Sequence, residues 1–188
     1  GGATRLGTLS YILIERKPKA IPERQAAAAE TEPEPDEAPP APTPYKSPRG
    51  GFSLDIPEGW AETEIADGMG VRLTQRAAHA TVEVRTHKVA RGTSARRFFK
   101  AILLPRLEGQ GAQVEPGADH KIGGHAGYGA RYSGNGKSGW IIVVVAGARA
   151  WSFHSRIPAN AIDLVMPEVR DIAASLRLPP GEGGRRSR

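Results

Sequence analysis

Hydrophobic and polar residues alternate in several short runs of this chain, which is the pattern of strands with one buried face. In residues 51–60 the apolar positions Phe52, Leu54 and Ile56 are separated by polar residues. A proline and a glycine follow, and both residue types end strands. Trp60 then supplies a large apolar body. This run predicts the first strand of a folded domain.

Five later runs have strand character, and the short links between them predict antiparallel hairpins. The link before residue 140 contains Asn135 followed by glycine, a sequence that two-residue hairpin turns favour. The run from residue 140 is apolar without interruption, as expected for a strand covered on both faces. The predicted strands are 70–76, 81–89, 126–132, 140–146 and 148–157.

Two stretches instead repeat their apolar residues at helical spacing. The first begins at an N-cap, Ser94, and ends near residue 107, and Pro105 is expected to kink or loosen its last turn. The second covers about 160–176, and Pro167 is expected to kink or restart it. The apolar faces are Phe98, Phe99, Ile102, Leu103 and Leu107 in the first, and Ile162, Val165, Met166, Val169, Ile172, Ala173 and Leu176 in the second.

These elements predict an α+β fold, in which a largely antiparallel sheet of about six strands is flanked by helices. The apolar stripe of each helix needs a partner layer, and the sheet supplies it. We expect the large apolar residues to share one core, made of Trp60, Phe98, Val143, Trp151 and Val169.

Composition limits the part of the 188-residue chain that can fold. Residues 20–48 contain eight prolines and six acidic residues, with almost no large apolar side chains. Such a segment cannot bury enough surface to offset the entropy lost on ordering it. We therefore predict a disordered linker at 20–48, one α+β domain at 49–180, and a disordered basic tail at 181–188.

Residues 1–19 contain too few apolar residues for a core, and a strand without partners is not stable alone. The sequence Arg5-Leu6-Gly7 before an apolar strand resembles the closing strands of a forkhead-associated domain, over about residues 3–16. The alternatives are an ordered arm that adds to a sheet, or the stub that remains after an anchor is removed. Because no methionine precedes Gly1, we expect a processed or truncated chain.

The net charge of +6 is unevenly distributed. It is +3 over residues 1–19, −4 over 20–48 and +7 over the remainder, which has 20 bases and 13 acids. A cationic domain on an anionic tether suits an acidic protein partner or an anionic surface, although excess charge also keeps a domain soluble. The absence of cysteine excludes disulfides and Cys-ligated zinc. No apolar run has the length of a membrane-spanning helix.

Three motifs resemble domains of the PsbP-like and DcrB-like superfamily. They are Phe52-Ser-Leu-Asp-Ile-Pro-Glu-Gly-Trp60, Lys121-Ile-Gly-Gly-His-Ala126 and Ile172-Ala-Ala-Ser-Leu-Arg-Leu178. The resemblance spans about residues 50–178 and implies an α+β sandwich with a non-catalytic binding or assembly role. Members include an extrinsic photosystem subunit, a Ran-binding factor, bacterial envelope proteins and type VI secretion effector chaperones. The resemblance favours a bacterial cell envelope, periplasmic or membrane-tethered, over the cytoplasm.

Motifs that suggest catalysis or nucleotide binding fail on spacing. The run Gly134-Asn-Gly-Lys-Ser138 resembles the end of a phosphate-binding loop, but Arg131 occupies the position of the earlier glycine and a strand follows. Ser155, His154 and Asp163 can be drawn as a hydrolytic triad, but consecutive residues of a strand point to opposite faces.

Metal and dinucleotide sites are equally poorly supported, and we predict no catalytic, cofactor or metal residue. His120, His125 and Asp119 are the one loop group in which a metal is conceivable, and no histidine has helical ligand spacing. Gly127 and Gly129 lack the third glycine of a dinucleotide loop. We interpret them as a smooth strip of strand against which a helix packs.

The remaining candidate site is a basic surface on the sheet and the first helix. Aromatic residues are not interleaved with its cations, which argues against nucleic acid. The sequence therefore predicts a non-catalytic protein-binding or assembly module on a flexible tether. The alternative is a small-ligand protein or an enzyme that uses a cleft between sheet and helices. The candidate partner-binding residues are Arg72, Arg76, Arg85, Arg96, Arg97 and Lys100.

Overall fold

In the computed structural model, which describes residues 41–179, a twisted antiparallel sheet separates two layers of apolar packing. The strands are β1 (Thr43–Lys46), β2 (Ser53–Ile56), β3 (Trp60–Ile65), β4 (Gly70–Gln75), β5 (Ala80–Lys88), β6 (Gln113–Val114), β7 (Ala118–Ile122), β8 (His125–Gly134), β9 (Lys137–Ala146) and β10 (Arg149–Pro158). The order across the main sheet is β3-β4-β5-β10-β9-β8-β6, and β7 also pairs with β8. β1 and β2 form a separate pair.

The predicted α+β fold is confirmed, and the main sheet has eight strands. Five of the six predicted strands belong to it, whereas the predicted first strand, β2, pairs with β1 outside it. The other strands of the main sheet are β3, β6 and β7, each of which pairs with a single neighbour. Four of the six residues of β3 are exposed, so its sequence has no apolar alternation. Edge strands are typically short and polar, which hides them from pattern analysis.

The folded domain begins earlier than residue 49. β1 pairs with β2, so that Tyr45 lies opposite Leu54. Ser47 is buried, and its hydroxyl donates a 2.7 Å hydrogen bond to the carbonyl oxygen of Gly68. The prolines around β1 are compatible with an edge strand, which needs few ladder donors. The prediction that residues 20–48 are a disordered linker is therefore wrong for the last part of this segment, where β1 forms. Residues 1–40 and the predicted tail at 181–188 lie outside the described residues.

The first helix, residues 95–109, has three parts. These are α1 (Ala95–Phe98), a π-helical turn (Phe99–Leu103) and α2 (Leu104–Gly109). Ser94 is the N-cap as predicted, and its hydroxyl accepts a 3.1 Å bond from the Arg97 amide. The π turn changes the helical phase before Pro105. Ile102, predicted to be on the apolar face, is consequently 39% exposed.

The second helix, α3 (Ile162–Ser175), follows a short 3-10 turn (Ala159–Ala161) and continues through Pro167 without a restart. Its predicted stripe is largely buried, with Val165, Val169 and Ile172 almost inaccessible. Among residues 41–179, no helix combines the length and the hydrophobicity needed to cross a bilayer.

The predicted single core is in fact two cores, one on each face of the sheet. Trp60, Trp151 and Val169 belong to the core under α3, whereas Phe98 and Val143 belong to the core under the first helix. Side chains alternate across the sheet, so consecutive residues of a central strand enter different cores. The continuous apolar run of β9 is explained in this way, because both of its faces are covered.

Candidate functional site

The first helix covers only part of its side of the sheet. It packs against β8 and β9, where Phe99 meets Tyr128 with ring centroids 5.4 Å apart. Beside it, β5 and β10 present polar side chains on the same face. The space between these strands and α2 is a cleft of about 240 Å³. We call it the basic cleft; its lining is Glu83, Arg85, His87, Leu103, Arg106, Leu107, Gln110, Ile141, Ser152, His154 and Arg156.

Glu83 organises two arginines at the edge of the basic cleft. Arg72 on β4 lies directly opposite Glu83, and its Nε and Nη2 donate to Glu83 Oε1 at 2.8 Å. Arg85 is two residues further along β5 and donates to Glu83 Oε2 at 3.0–3.1 Å. The Glu83 side chain is only 11% exposed, against 44% and 42% for the two arginines.

The charge of Glu83 is maintained by these partners. Burial alone raises the pKa of this carboxyl group, because it penalises the ionised form. The hydrogen bond from Arg72 and the positive charges of Arg85, Arg72 and Arg156 outweigh burial, and the pKa lies below its usual value. Glu83 is therefore an ionised anchor for the arginines.

A chain of hydrogen bonds crosses the floor from β10 to β8. The Tyr132 hydroxyl donates to the Ser155 carbonyl oxygen at 2.7 Å, and His154 Nε2 lies 2.9 Å from the same hydroxyl. A hydroxyl has one proton, so His154 Nε2 must be the donor and Nδ1 the unprotonated nitrogen. Burial and the charge of Arg156 lower the pKa of His154 to about 4. Burial also raises the pKa of the Tyr132 hydroxyl to about 12.

Ser152 and His87 form the one serine–histidine pair in the cleft, with Ser152 Oγ 2.8 Å from His87 Nε2. Burial, followed by the charges of Arg106 and Arg85, lowers the pKa of His87. None of the described carboxylates is hydrogen-bonded to the His87 ring to orient it as a base. A hydrolytic dyad normally has such a third group. The pair serves as neutral polar lining.

The cations of the basic cleft exceed its anions. The lining contains three arginines, which are Arg85 on β5, Arg106 on α2 and Arg156 on β10. Glu83 is the one carboxylate in the lining. Glu83 is already bonded to Arg72 and Arg85, and no described carboxylate lies within salt-bridge distance of Arg106 or Arg156. The arrangement can bind a carboxylate from outside through charge-assisted hydrogen bonds.

The structure divides the predicted partner-binding set. Arg72 and Arg85 are brought together by Glu83. Arg76 lies in the exposed turn between β4 and β5, outside the cleft lining. Arg96 lies 5.6 Å from the centroid of the Tyr128 ring on β8, and two strands separate β8 from β5. Arg97 and Lys100 are exposed on the first helix.

Sequence reasoning did not find Arg106, Arg156 or the cleft histidines. A local signal exists, because Arg85 and His87, and likewise His154 and Arg156, are spaced two residues apart on strands and share a face. The local sequence does not indicate that β5 pairs with β10, and this pairing places Arg85 opposite Ser152.

The triad, phosphate-loop and metal candidates considered from the sequence do not form sites among the described residues. The prediction that the side chains of His154 and Ser155 point to opposite faces of the sheet is confirmed. His154 lines the basic cleft, whereas Ser155 does not and its Oγ accepts a 2.9 Å hydrogen bond from the Trp140 amide. Asn135 and Gly136, which have φ of 52° and 71°, form the predicted hairpin turn between β8 and β9. Within residues 41–179, no three His, Asp or Glu side chains are grouped as metal ligands.

Known proteins are similar to this chain in structure only. No protein-family model matches the sequence, and no curated protein is similar to it at a significant level. The solution structure of the cyanobacterial PsbP (CyanoP) from Synechocystis sp. PCC 6803 matches 74% of this chain and 93% of its own, with a TM-score of 0.56 and 14% identity. LpqN, involved in cell envelope biogenesis of Mycobacterium tuberculosis, matches 74% of this chain and 86% of its own, with a TM-score of 0.47 and 16% identity. A Pseudomonas aeruginosa protein of unknown function, PA94, matches 75% of this chain and 99% of its own, with a TM-score of 0.47 and 17% identity.

Proposed function

We propose a function for this chain on the basis that it has the fold of the PsbP-like and DcrB-like domains. It is a non-catalytic module that binds an acidic segment of a protein partner in the basic cleft. The observation that carries the proposal is the unbalanced charge of this cleft, where Arg106 and Arg156 have no carboxylate partner among the described residues.

The cleft is organised for binding rather than for a reaction. Glu83 holds Arg72 and Arg85 in fixed positions, and each guanidinium keeps donors that Glu83 does not use. Side chains that are already oriented lose less entropy when a ligand arrives. Glutamate or aspartate of a partner then completes the ion pairs of Arg106 and Arg156.

The test uses a synthetic peptide of alternating glutamate and serine, and a control peptide with glutamine for glutamate. We expect saturable binding of the acidic peptide by titration calorimetry, weakened by salt because exposed charges are screened beyond about 8 Å at physiological ionic strength. The double variant Arg106→Gln/Arg156→Gln should bind about tenfold more weakly or worse.

The matched control is Arg76→Gln/Arg97→Gln, which removes the same charge at exposed positions outside the cleft. It should retain the affinity within about twofold, since distant exposed charges contribute little. Equal losses in the two double variants would show that net charge, and not the cleft, attracts the peptide, and the proposed site would then be rejected.

We also propose that the module works in a bacterial cell envelope. The support is the resemblance of its three sequence motifs to a superfamily with envelope members. Fractionation of the native source, followed by immunodetection, tests this location. A signal confined to the cytosolic fraction would contradict it.

A further inference from the structure

A second concave surface lies on the opposite side of the sheet, between the β7–β8 hairpin and α3. It has a volume of about 500 Å³ and differs in character from the basic cleft. Its floor is mostly apolar, with Ile122, Ile142 and Ala173 buried below Trp140. We call it the α3 groove; its lining is His120, Lys121, Ile122, Gly123, Gly124, Trp140, Ile142, Arg170, Ala173 and Ala174.

Glycines of β8 and of the hairpin tip make close backbone contacts beside this space. Gly127 and Gly129 of β8 place no side chain on this side, and an added Cβ would lie 2.7 and 2.2 Å from the backbone oxygens of Val143 and Ile141. These nearest atoms belong to β9, so the predicted close approach is to a strand rather than to a helix. At the hairpin tip, a Cβ on Gly123 would lie 2.1 Å from the Leu176 oxygen. The tip thus meets the chain just beyond α3 and closes one end of the groove.

Trp140 differs from the other two tryptophans of the domain. Trp60 and Trp151 are buried, and their indole N–H groups donate to Glu168 and to the Gly50 carbonyl. Trp140 is half-buried, and the guanidinium groups of Arg131 and Arg170 lie 5.8 and 5.6 Å from the centroid of its ring. Its indole nitrogen has no hydrogen-bond partner among residues 41–179. Trp140 therefore offers an unused donor at the edge of an apolar ring to a ligand.

The rim of the α3 groove is cationic. Lys121 and Arg170 line it together with His120, and the lining contains no carboxylate. Arg170 lies 5.6 Å from the centroid of the Trp140 ring and has no salt bridge to a described residue. The space on the other side of Trp140 shares Arg170 with the α3 groove, and its lining also contains Arg131 and two carboxylates, Glu115 and Asp163. Only the side towards β7 combines an apolar floor with a lining that has no carboxylate.

We propose that the α3 groove binds a free small monocarboxylic acid with an apolar body. The volume is in the range of small-molecule sites, which are mostly apolar with a few placed polar groups. The body of the acid packs on Trp140 and Ile142, and its carboxylate receives charge-assisted hydrogen bonds from Arg170. This site is independent of the basic cleft, which lies across the sheet.

Decanoate is the probe for a titration by calorimetry and tryptophan emission. We expect saturable binding to the full chain, with a change in emission that disappears in Trp140→Phe because the other tryptophans are buried. Arg170→Gln should weaken decanoate binding at least about tenfold, the scale of one charge-assisted hydrogen bond. Decanol, which lacks the carboxylate, should bind as weakly to the native chain as decanoate binds to Arg170→Gln.

The matched control is Arg97→Gln, an exposed arginine on the opposite side of the sheet, which should leave the affinity unchanged. Lys121→Gln provides a second variant at the rim, with an expected smaller loss. The proposal is overturned if no saturable binding occurs, if Arg170→Gln and Arg97→Gln bind decanoate equally, or if decanol binds as well as decanoate. Tighter binding to phosphatidylglycerol vesicles than to the free acid, lost in Arg170→Gln, would also overturn it in favour of a membrane surface.

Discussion

The indole nitrogen of Trp151 donates a 3.0 Å hydrogen bond to the carbonyl oxygen of Gly50, 101 residues earlier in the chain. The same oxygen accepts a 2.8 Å bond from Thr86 Oγ1. Both donors are buried and belong to the adjacent strands β10 and β5. The turn before β2 is thus fixed to the centre of the sheet by side chains from two strands.

Replacement of Trp151 by alanine should lower the free energy of unfolding by about 3–5 kcal/mol, the usual range for a buried aromatic residue. Trp151→Phe should cost less, because it keeps most of the packing and loses the bond to Gly50. Urea denaturation measures both. Leu164→Ala is the control, since Leu164 is 73% exposed and its removal should cost little. An unchanged midpoint in Trp151→Ala would contradict the packing described here.

A chain that starts at residue 41 should be more stable than one that starts at residue 49. The shorter chain loses β1 and the buried bond from Ser47 to Gly68. We expect a loss of about 2 kcal/mol or more, since a buried polar group without its partner costs about 1–3 kcal/mol and apolar cover is lost as well. Thermal unfolding of the two chains tests this. Limited proteolysis should leave Tyr45 in the resistant fragment; a fragment beginning at Arg49 with full stability would refute it.

His154 should make the domain less stable in mild acid. Its pKa is about 4 in the folded chain and 6.5 for an ordinary histidine, so the unfolded chain takes up a proton first as the pH falls. The contribution is complete above about pH 6.5 and is lost towards pH 4, up to about 3 kcal/mol. His87, whose pKa burial also lowers, adds to the same trend.

The variant His154→Gln tests this titration by urea denaturation across that range. Glutamine keeps an N–H donor for Tyr132 but has no titratable group. The slope of stability against pH should become shallower than in the native chain. His79→Asn is the control, because His79 is exposed and has a positive φ that asparagine tolerates. The same slope in native and His154→Gln chains would exclude His154 as the cause.

Two glycine substitutions should have opposite outcomes. A Cβ at residue 129 would lie 2.2 Å from the Ile141 oxygen and 2.8 Å from the Ile142 Cα, and backbone atoms cannot rotate away. We expect Gly129→Ala to destabilise by about 1–3 kcal/mol, as overpacking does. Gly109→Ala, at the end of α2, meets nothing within 4 Å and should be neutral or slightly stabilising. Calorimetric melting of both variants decides between these outcomes.

Local patterns predicted most of the elements of the fold. Val71, Leu73 and Val82 are on the buried face that alternation assigns to them. Ser94 caps the first helix, and Asn135 forms its hairpin. The edge strand β3 was missed because its residues are mostly exposed, and the π turn moved Ile102 out of the apolar face because the helical period changes there.

The candidate site was only partly predictable for a different reason. Arg72 and Arg85 could be assigned to one face, since β4 and β5 are joined by a short turn. Arg156 and Arg106 join them only because β10 pairs with β5 and the first helix crosses over β9. Such long-range pairings depend on the whole set of packed layers and leave no mark in the local sequence.

Consecutive residues of β9 line the two concave surfaces, with Trp140 in the α3 groove and Ile141 in the basic cleft. One sheet, a single backbone thick, is therefore the whole partition between the two sites. Ligands on its two sides cannot compete by overlap, and neither needs the other to leave. The expected stoichiometry is one acid and one acidic peptide per domain, held together as a ternary complex with the sheet between them.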